Sequence, residues 1–255
     1  MISHKRYLSI LASLYLILFI ALGINPVDRQ DWLLESTLPV LFVALAFFTY
    51  RRLLFSRLSY SLIFIFMCLH AIGAHYTYSA VPYDEWFKTL AGSSLNELMG
   101  WERNNFDRLV HFCYGLLLAY PIREVFLRVV NVRGFWGYFL PLDVTMSTSM
   151  IYELIEWGAA IGFGGDLGMN FLGTQGDVWD AQRDMALASL GALVSMSVTA
   201  AINFYLQRDF AREWADSFRV KGSRPLGEDE IARLWHGKSS RRGETKNFLD
   251  QFKVE

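Results

Sequence analysis

Apolar residues in this chain come in long blocks, and that pattern limits the folds open to it. The stretch "HKRYLSILASLYLILFIALG", His4–Gly23, is the plainest example. A hydrocarbon core of roughly 30 Å takes about 20 helical residues, and several blocks reach that length. Six spans are expected, at about 7–24, 33–50, 59–76, 106–122, 135–157 and 184–206. Pro39 lies inside the second, which membrane helices tolerate better than soluble ones do. The composition agrees, at 53% hydrophobic and 16% aromatic with a mean hydropathy of +0.24.

The net charge of −1 says little, but its distribution sets an orientation. Lys5 and Arg6 precede the first span, and Arg51, Arg52 and Arg57 join the second to the third. Arg123, Arg128 and Arg133, against Glu124 alone, join the fourth to the fifth. The other loops are acidic: Asp28, Asp31 and Glu35, then Asp84, Glu85, Glu97 and Glu102, then Asp166. Basic loops stay inside, so both termini are expected in the cytoplasm.

The first block has a basic start and a small-x-small "ALG" at Ala21–Gly23. It is longer than a signal core and more spans follow, so an uncleaved anchor is expected. Cys68 and Cys113 fall inside spans and read as small apolar fillers, with no disulfide framework. Residues 207–255 form a charged cytoplasmic tail. Its "DFAREWADSF" sets Phe210, Trp214 and Phe218 four apart, a stripe suited to the inner membrane surface. "GEDEIARLWHG", Gly227–Gly237, reads as a short helix.

With that orientation, the ionisable groups gather on one side. His70 and His75 end the third span, Asp107 and His111 open the fourth, and Glu153 and Glu156 close the fifth. Asp177, Asp180 and Asp184 open the sixth. All nine fall at the outer face. Asp107 and His111 share a helix face, as do Glu153 with Glu156 and the three aspartates. His70 and His75 are five apart and point about 140° from each other in a regular helix. Both reach one cavity only if the helix distorts, and Gly73 lies between them.

Some of these groups also have structural explanations. Asp177 follows Gly176 and suits a helix N-cap, Asp107 suits a first turn, and His75 suits the interface beside Tyr76 and Tyr78. Asp184 and His111 lie a turn deeper, and Glu153 and Glu156 oppose the helix dipole. A charge costs about 2.5–3.5 kcal/mol at a helix centre. A third of that for each of six carboxylates totals roughly 5 kcal/mol, comparable with a domain's net stability. Arg108 and Arg183 can neutralise two of them. The remainder needs protons, charged histidines or a bound cation.

Carboxylate with imidazole is the ligand set of zinc, manganese or iron, whereas all-oxygen sites suit magnesium or calcium. Candidate metal ligands are His70, His75, His111, Asp107, Glu153, Asp177, Asp180 and Asp184. Candidate groups for acid–base chemistry are Asp107, His111, Glu153, Glu156, Asp180 and Asp184. No H-E-x-x-H run is present, so the metal reading rests on convergence. Without a metal, the same cluster relays protons or binds a cation. Trp101, Trp157 and Trp179 fit an outer aromatic belt, and Asn104, Asn105, Gln175 and Gln182 add hydrogen-bonding capacity. The glycines at 162, 164, 165 and 168 fit either a flexible connector or a substrate flap.

"HAIGAHYTY", "NNFDRLVHFCYGLLLAYPIRE", "YELIEW" and "GTQGDVWDAQRDMALASLGALV" together resemble the YjdF-like family of bacterial inner-membrane proteins, over about residues 10–206. The resemblance implies a multi-spanning fold in the bacterial inner membrane and no established activity. The chain is also similar to VanZ-like membrane proteins, associated with glycopeptide resistance. Asp107, Arg108, His111 and Phe112 match one part of their pattern, Glu153 a second, and Asp180, Asp184 and Gly191 a third. Glu156 stands where that pattern carries glutamine.

The expectation is an all-α helix bundle in the membrane with one outward-facing polar site. Three functions remain open. One is a hydrolase or transferase assisted by zinc, manganese or magnesium and acting on a lipid or envelope molecule. Another is a non-catalytic protein that binds a ligand, ion or partner. The third, a proton- or cation-coupled permease, is disfavoured because the inner half of the bundle lacks charged groups and no inverted repeat is visible. Nothing points to nucleic acid.

Overall fold

A computed structural model describes residues 2–206, 210–220, 227–228 and 231–235. These are helical, with no strand among the described residues. In chain order they form α1 (His4–Ile24), α2 (Arg29–Thr49), α3 (Arg57–His75), α4 (Tyr83–Ala91) and α5 (Leu95–Met99). Then come α6 (Phe106–Val125), α7 (Trp136–Phe163), α8 (Gly165–Leu172), α9 (Asp180–Leu206) and α10 (Phe210–Asp216). A π-helical turn, Phe126–Val130, follows α6.

Local chemistry starts several of these helices. Ser3 accepts from the Arg6 N–H, Asp28 from those of Gln30 and Asp31, and Ser56 from that of Ser59. Each cap satisfies donors that a helix start otherwise leaves open. Four helices, α1, α2, α3 and α9, are long and apolar enough to cross a bilayer. α6 and α7, with 20 and 28 residues, also have the length to span but are not among these four. The apolar faces point outward. α1 buries none of its residues, and Phe47 and Phe48 of α2 are 77% and 79% exposed. A surface so apolar is covered by lipid, not water.

The bundle is organised around α6 and α9, which share its most extensive contact. The seam is made of small residues: Gly115 and Ala119 on α6, and Ala188, Gly191 and Ala192 on α9. A Cβ on Gly115 would lie 1.9 Å from the Ala188 carbonyl oxygen, and one on Gly191 would lie 2.1 Å from that of Phe112. Lipid supplies no hydrophobic drive between helices, so close backbone packing of this kind holds membrane helices together. The two helices run parallel. α7 runs back alongside and packs on both, α3 packs on α6 and α1, and α2 packs on α3 and α8.

The chain divides into two compact units, Met1–Ser217 and Phe218–Glu255. Within the first, Phe210 and Trp214 of α10 pack on Tyr138 of α7, whose ring also carries the Arg123 guanidinium 4.5 Å from its centre. Two members of the expected amphipathic stripe therefore pack against the bundle. In the second unit, residues 231–235 are helical. Asp229, Glu230, His236 and Gly237 of the expected short helix lie outside the described residues.

The seam generates a direct test. Gly115→Ala and Gly191→Ala should each lower the thermal stability of the detergent-purified protein by about 1–3 kcal/mol, because a methyl group meets a backbone carbonyl. Gly158→Ala, which meets open space, should change it by no more than about 0.5 kcal/mol. Equal melting temperatures for all three variants would contradict the packing described here.

Candidate functional site

The parallel seam sets the polar ends of α6 and α9 side by side. Asp107 and His111 project from one face of α6 a few residues before Gly115, and Asp180 and Asp184 precede Ala188 in the same way on α9. Arg103, in the loop before α6, donates to the carboxylates of both Asp107 and Asp180, clasping the two helices. Asp180 is buried, and the Arg103 side chain is largely so.

Two further arginines hold Asp177. Arg108 donates to it at 2.5 Å and to Asn105 Oδ1 at 2.9 Å, and Arg183 donates to it from the protein surface. Asp177 also accepts from the Trp179 N–H at 3.0 Å. That backbone bond, with the guanidiniums of Arg183, Arg108 and Arg103, holds its carboxyl below the usual carboxylate range. Asp177 belongs to this arginine layer at the bundle's end and not to the interior.

Below the arginines lie His111, Glu153 and Asp184. One donor atom from each lies within 4.8 Å of the others, with His111 Nε2 and Glu153 Oε1 3.7 Å apart. Glu153 and Asp184 are 8% and 4% exposed, and neither pairs with a guanidinium among the described residues. Glu153 Oε1 and Asp184 Oδ1 are buried without a hydrogen-bond partner. A second acidic group, Asp107, Asp180 and Asp184, meets the same distance criterion. Two of its three members already accept from Arg103.

His70 and His75 point apart, as their spacing requires. His75 Nδ1 lies 2.6 Å from the Leu22 carbonyl of α1, away from the acids. His70 is buried against α2. Pro39 has no N–H to give the Glu35 carbonyl four residues earlier. His70 Nε2 donates there instead, at 3.0 Å, and its Nδ1 accepts from the Tyr78 hydroxyl. Both ring nitrogens are engaged, so His70 stands as a structural residue. Gly73 does not bend α3. It makes room for the Tyr78 ring, which a Cβ there would meet at 2.5 Å. Thr77 and Tyr78, at φ 54° and 52°, turn the chain back over the helix.

His111 and Asp184, but not Glu153, line a cavity of about 370 Å³ between α2, α3, α6 and α7, to which α8 adds Phe171 and Leu172. Asp107, His111, Glu156, Asp180 and Asp184 line its polar end together with His70. Tyr152 donates to Glu35 at 3.1 Å across it. Glu35 lines the cavity and, like Asp31, is buried. Both had read as loop acids, although their spacing of four before an apolar block marks one helix face. Arg103 was also missed: its spacing of four to Asp107 is local, but nothing local ties it to Asp180, 77 positions away.

Arg103→Ala takes the hydrogen-bonded cation from buried Asp180 and part-buried Asp107, leaving Asp180 only Arg108 at 3.7 Å, a loss of about 3 kcal/mol. Arg183→Ala, with its side chain 54% exposed, should cost about 1 kcal/mol or less. Thermal unfolding in detergent should rank them in that order, and a reversed order would remove the clasp from this account.

Residues 7–204 match the family described as "Predicted membrane protein (DUF2238)". The chain is 38% identical over 195 residues to Inner membrane protein YjdF of Escherichia coli (strain K12), across 76% of this chain and 89% of that protein. No solved structure matches the chain. With a helical bundle whose apolar faces need lipid, these matches identify the chain as a member of the DUF2238 family of membrane proteins.

Proposed function

We propose that the chain is a six-span inner-membrane protein whose outward-facing end binds a divalent cation, zinc or manganese, through His111, Glu153 and Asp184. Residues 1–206 form the membrane domain, and the termini with the tail after 206 lie in the cytoplasm. The basic loops support this orientation. The packing of α6 and α7 against the apolar α9 supports counting both as spans. The relative from Escherichia coli is named as an inner-membrane protein, which supports the location.

One observation carries the cation reading: Glu153 Oε1 and Asp184 Oδ1 are buried, without hydrogen-bond partners, beside an imidazole nitrogen. Leaving a carboxylate in that state costs several kcal/mol, and a cation between them offsets it. Tetrahedral donors about 2.0–2.2 Å from zinc lie roughly 3.3–3.6 Å apart, so the 3.7 Å His111–Glu153 pair already nearly fits and a pair at the 4.8 Å limit closes by about an ångström. The all-oxygen group is disfavoured because Arg103 already occupies Asp107 and Asp180.

A cation held by these three side chains would have room for a water and would lower its pKa, supplying a hydroxide nucleophile for an ester or phosphate. Glu156, which lines the adjoining cavity, is suited to accept the proton. The reading is therefore a metal-assisted hydrolase or transferase acting on a lipid or envelope molecule that reaches the outer face. Asp107 and Asp180 serve the Arg103 clasp.

Protein purified in detergent and equilibrated with zinc should retain about one ion per chain, measured by elemental analysis. His111→Ala and Asp184→Asn should each weaken retention by at least about 100-fold, more than the loss of a supporting residue would. Arg183→Ala should retain the ion. No ion in the wild-type protein, with zinc or manganese, would overturn the metal reading and favour a protein that binds its ligand without turnover.

A further inference from the structure

The cavity changes character along its length. On α6 its wall is Asp107, His111, Tyr114 and Leu118, one helix face that passes from acid to alkyl. Eleven residues at 1.5 Å each give it a depth of roughly 16 Å, about half a hydrocarbon core. α2 repeats the gradient from Glu35 to Phe42, and α3 repeats it from His70 to Ile63. Partway down, the Tyr114 hydroxyl and Thr148 Oγ1 satisfy each other at 2.5 Å, while the Ser149 hydroxyl is buried without a partner. The deep end offers a ligand only apolar contact.

The cavity also opens sideways. Leu38 and Phe42 of α2 line it and are each 39% exposed, while Ile151 and Ile155 of α7 line it at 49% and 42%. By contrast, Met67, Val110 and Ser149 at the back are at most 6% exposed. α2 and α7 are bridged near the polar end by the Tyr152–Glu35 hydrogen bond. The exposed lining residues of α7 lie at and outward of Tyr152, and those of α2 run about one to two turns inward of Glu35, so the cavity meets the surrounding lipid along this edge.

We propose that this cavity receives one acyl chain of a bilayer lipid, entering between α2 and α7, with the lipid's headgroup presented to His111, Glu153 and Asp184. The proposal rests on the cation reading above and specifies its substrate class. A water-soluble envelope molecule has no part that fits the apolar half, whereas an amphiphile matches both ends. The volume lies within the roughly 300–1,000 Å³ of small-molecule sites, which suits one chain and leaves the second in the surrounding leaflet.

The test uses vesicles of phosphatidylethanolamine and phosphatidylglycerol containing a phosphatidylethanolamine with a photoreactive diazirine on one acyl chain. After illumination, labelled peptides are mapped by mass spectrometry. Annular lipid reaches Phe47 and Phe48, whereas Met67 and Val110 are buried from it. Labelling at Met67 and Val110 is therefore the expected result. Ser149→Trp and Leu118→Trp, two independent fillings of the cavity, should each reduce it by about tenfold or more with annular labelling unchanged. Labelling confined to the annular positions, or cavity labelling that neither filled variant reduces, would overturn the proposal. Metal content measured on the same samples keeps the two readings apart. Cavity labelling without bound metal removes the cation reading, and bound metal without cavity labelling removes the lipid.

Discussion

The contact between α6 and α9 is the constraint on which the rest depends. Where Gly115 and Gly191 let one backbone touch the other, these helices cannot slide or separate without losing most of the interior packing. Their parallel course follows from that seam, and with it the meeting of Asp107 and His111 with Asp180 and Asp184. α7 contributes Glu153 because it runs back alongside and packs on both. The site thus inherits its position from glycines about two turns away, none of which has any chemistry of its own.

Charge then sorts the polar groups into layers. Arg103, Arg108 and Arg183 take up Asp107, Asp177 and Asp180 at the end of the bundle. His70 repairs the carbonyl that Pro39 leaves without its helical donor, and so is spent on structure. Beside the His111 imidazole, Glu153 and Asp184 each keep a buried oxygen without a partner, as Asp31 does on α2. That residue of unmet charge is more informative than the total number of acids, because intramembrane acids with arginine partners are already explained.

Much of the helical framework was legible, because each span is a local property: about twenty apolar residues with caps such as Ser3 and Asp28. The convergence of polar groups was legible in part, through helical spacing and the charge of the loops. Asp31 and Glu35 were misread because the helix holding them begins before its apolar block does. His75, which also suited the interface beside Tyr76 and Tyr78, is claimed by the neighbouring helix, α1. Arg103 and Tyr78 depend on chain crossings that no short-range rule encodes. The small residues at 115, 119, 188, 191 and 192 did carry a readable signal, two pairs spaced four apart, for the seam that organises everything else.

The central claim, that polar groups from separate helices share one pocket, can be tested with no assumption about metal or substrate. With Cys68 and Cys113 replaced by serine, His111→Cys combined with Asp184→Cys should be joined within native membranes by the shortest bifunctional thiol reagents. The pairing of His75→Cys with Asp184→Cys should not. Joining of both pairs at the same rate, or of the His75 pair alone, would contradict the arrangement from which the whole account follows.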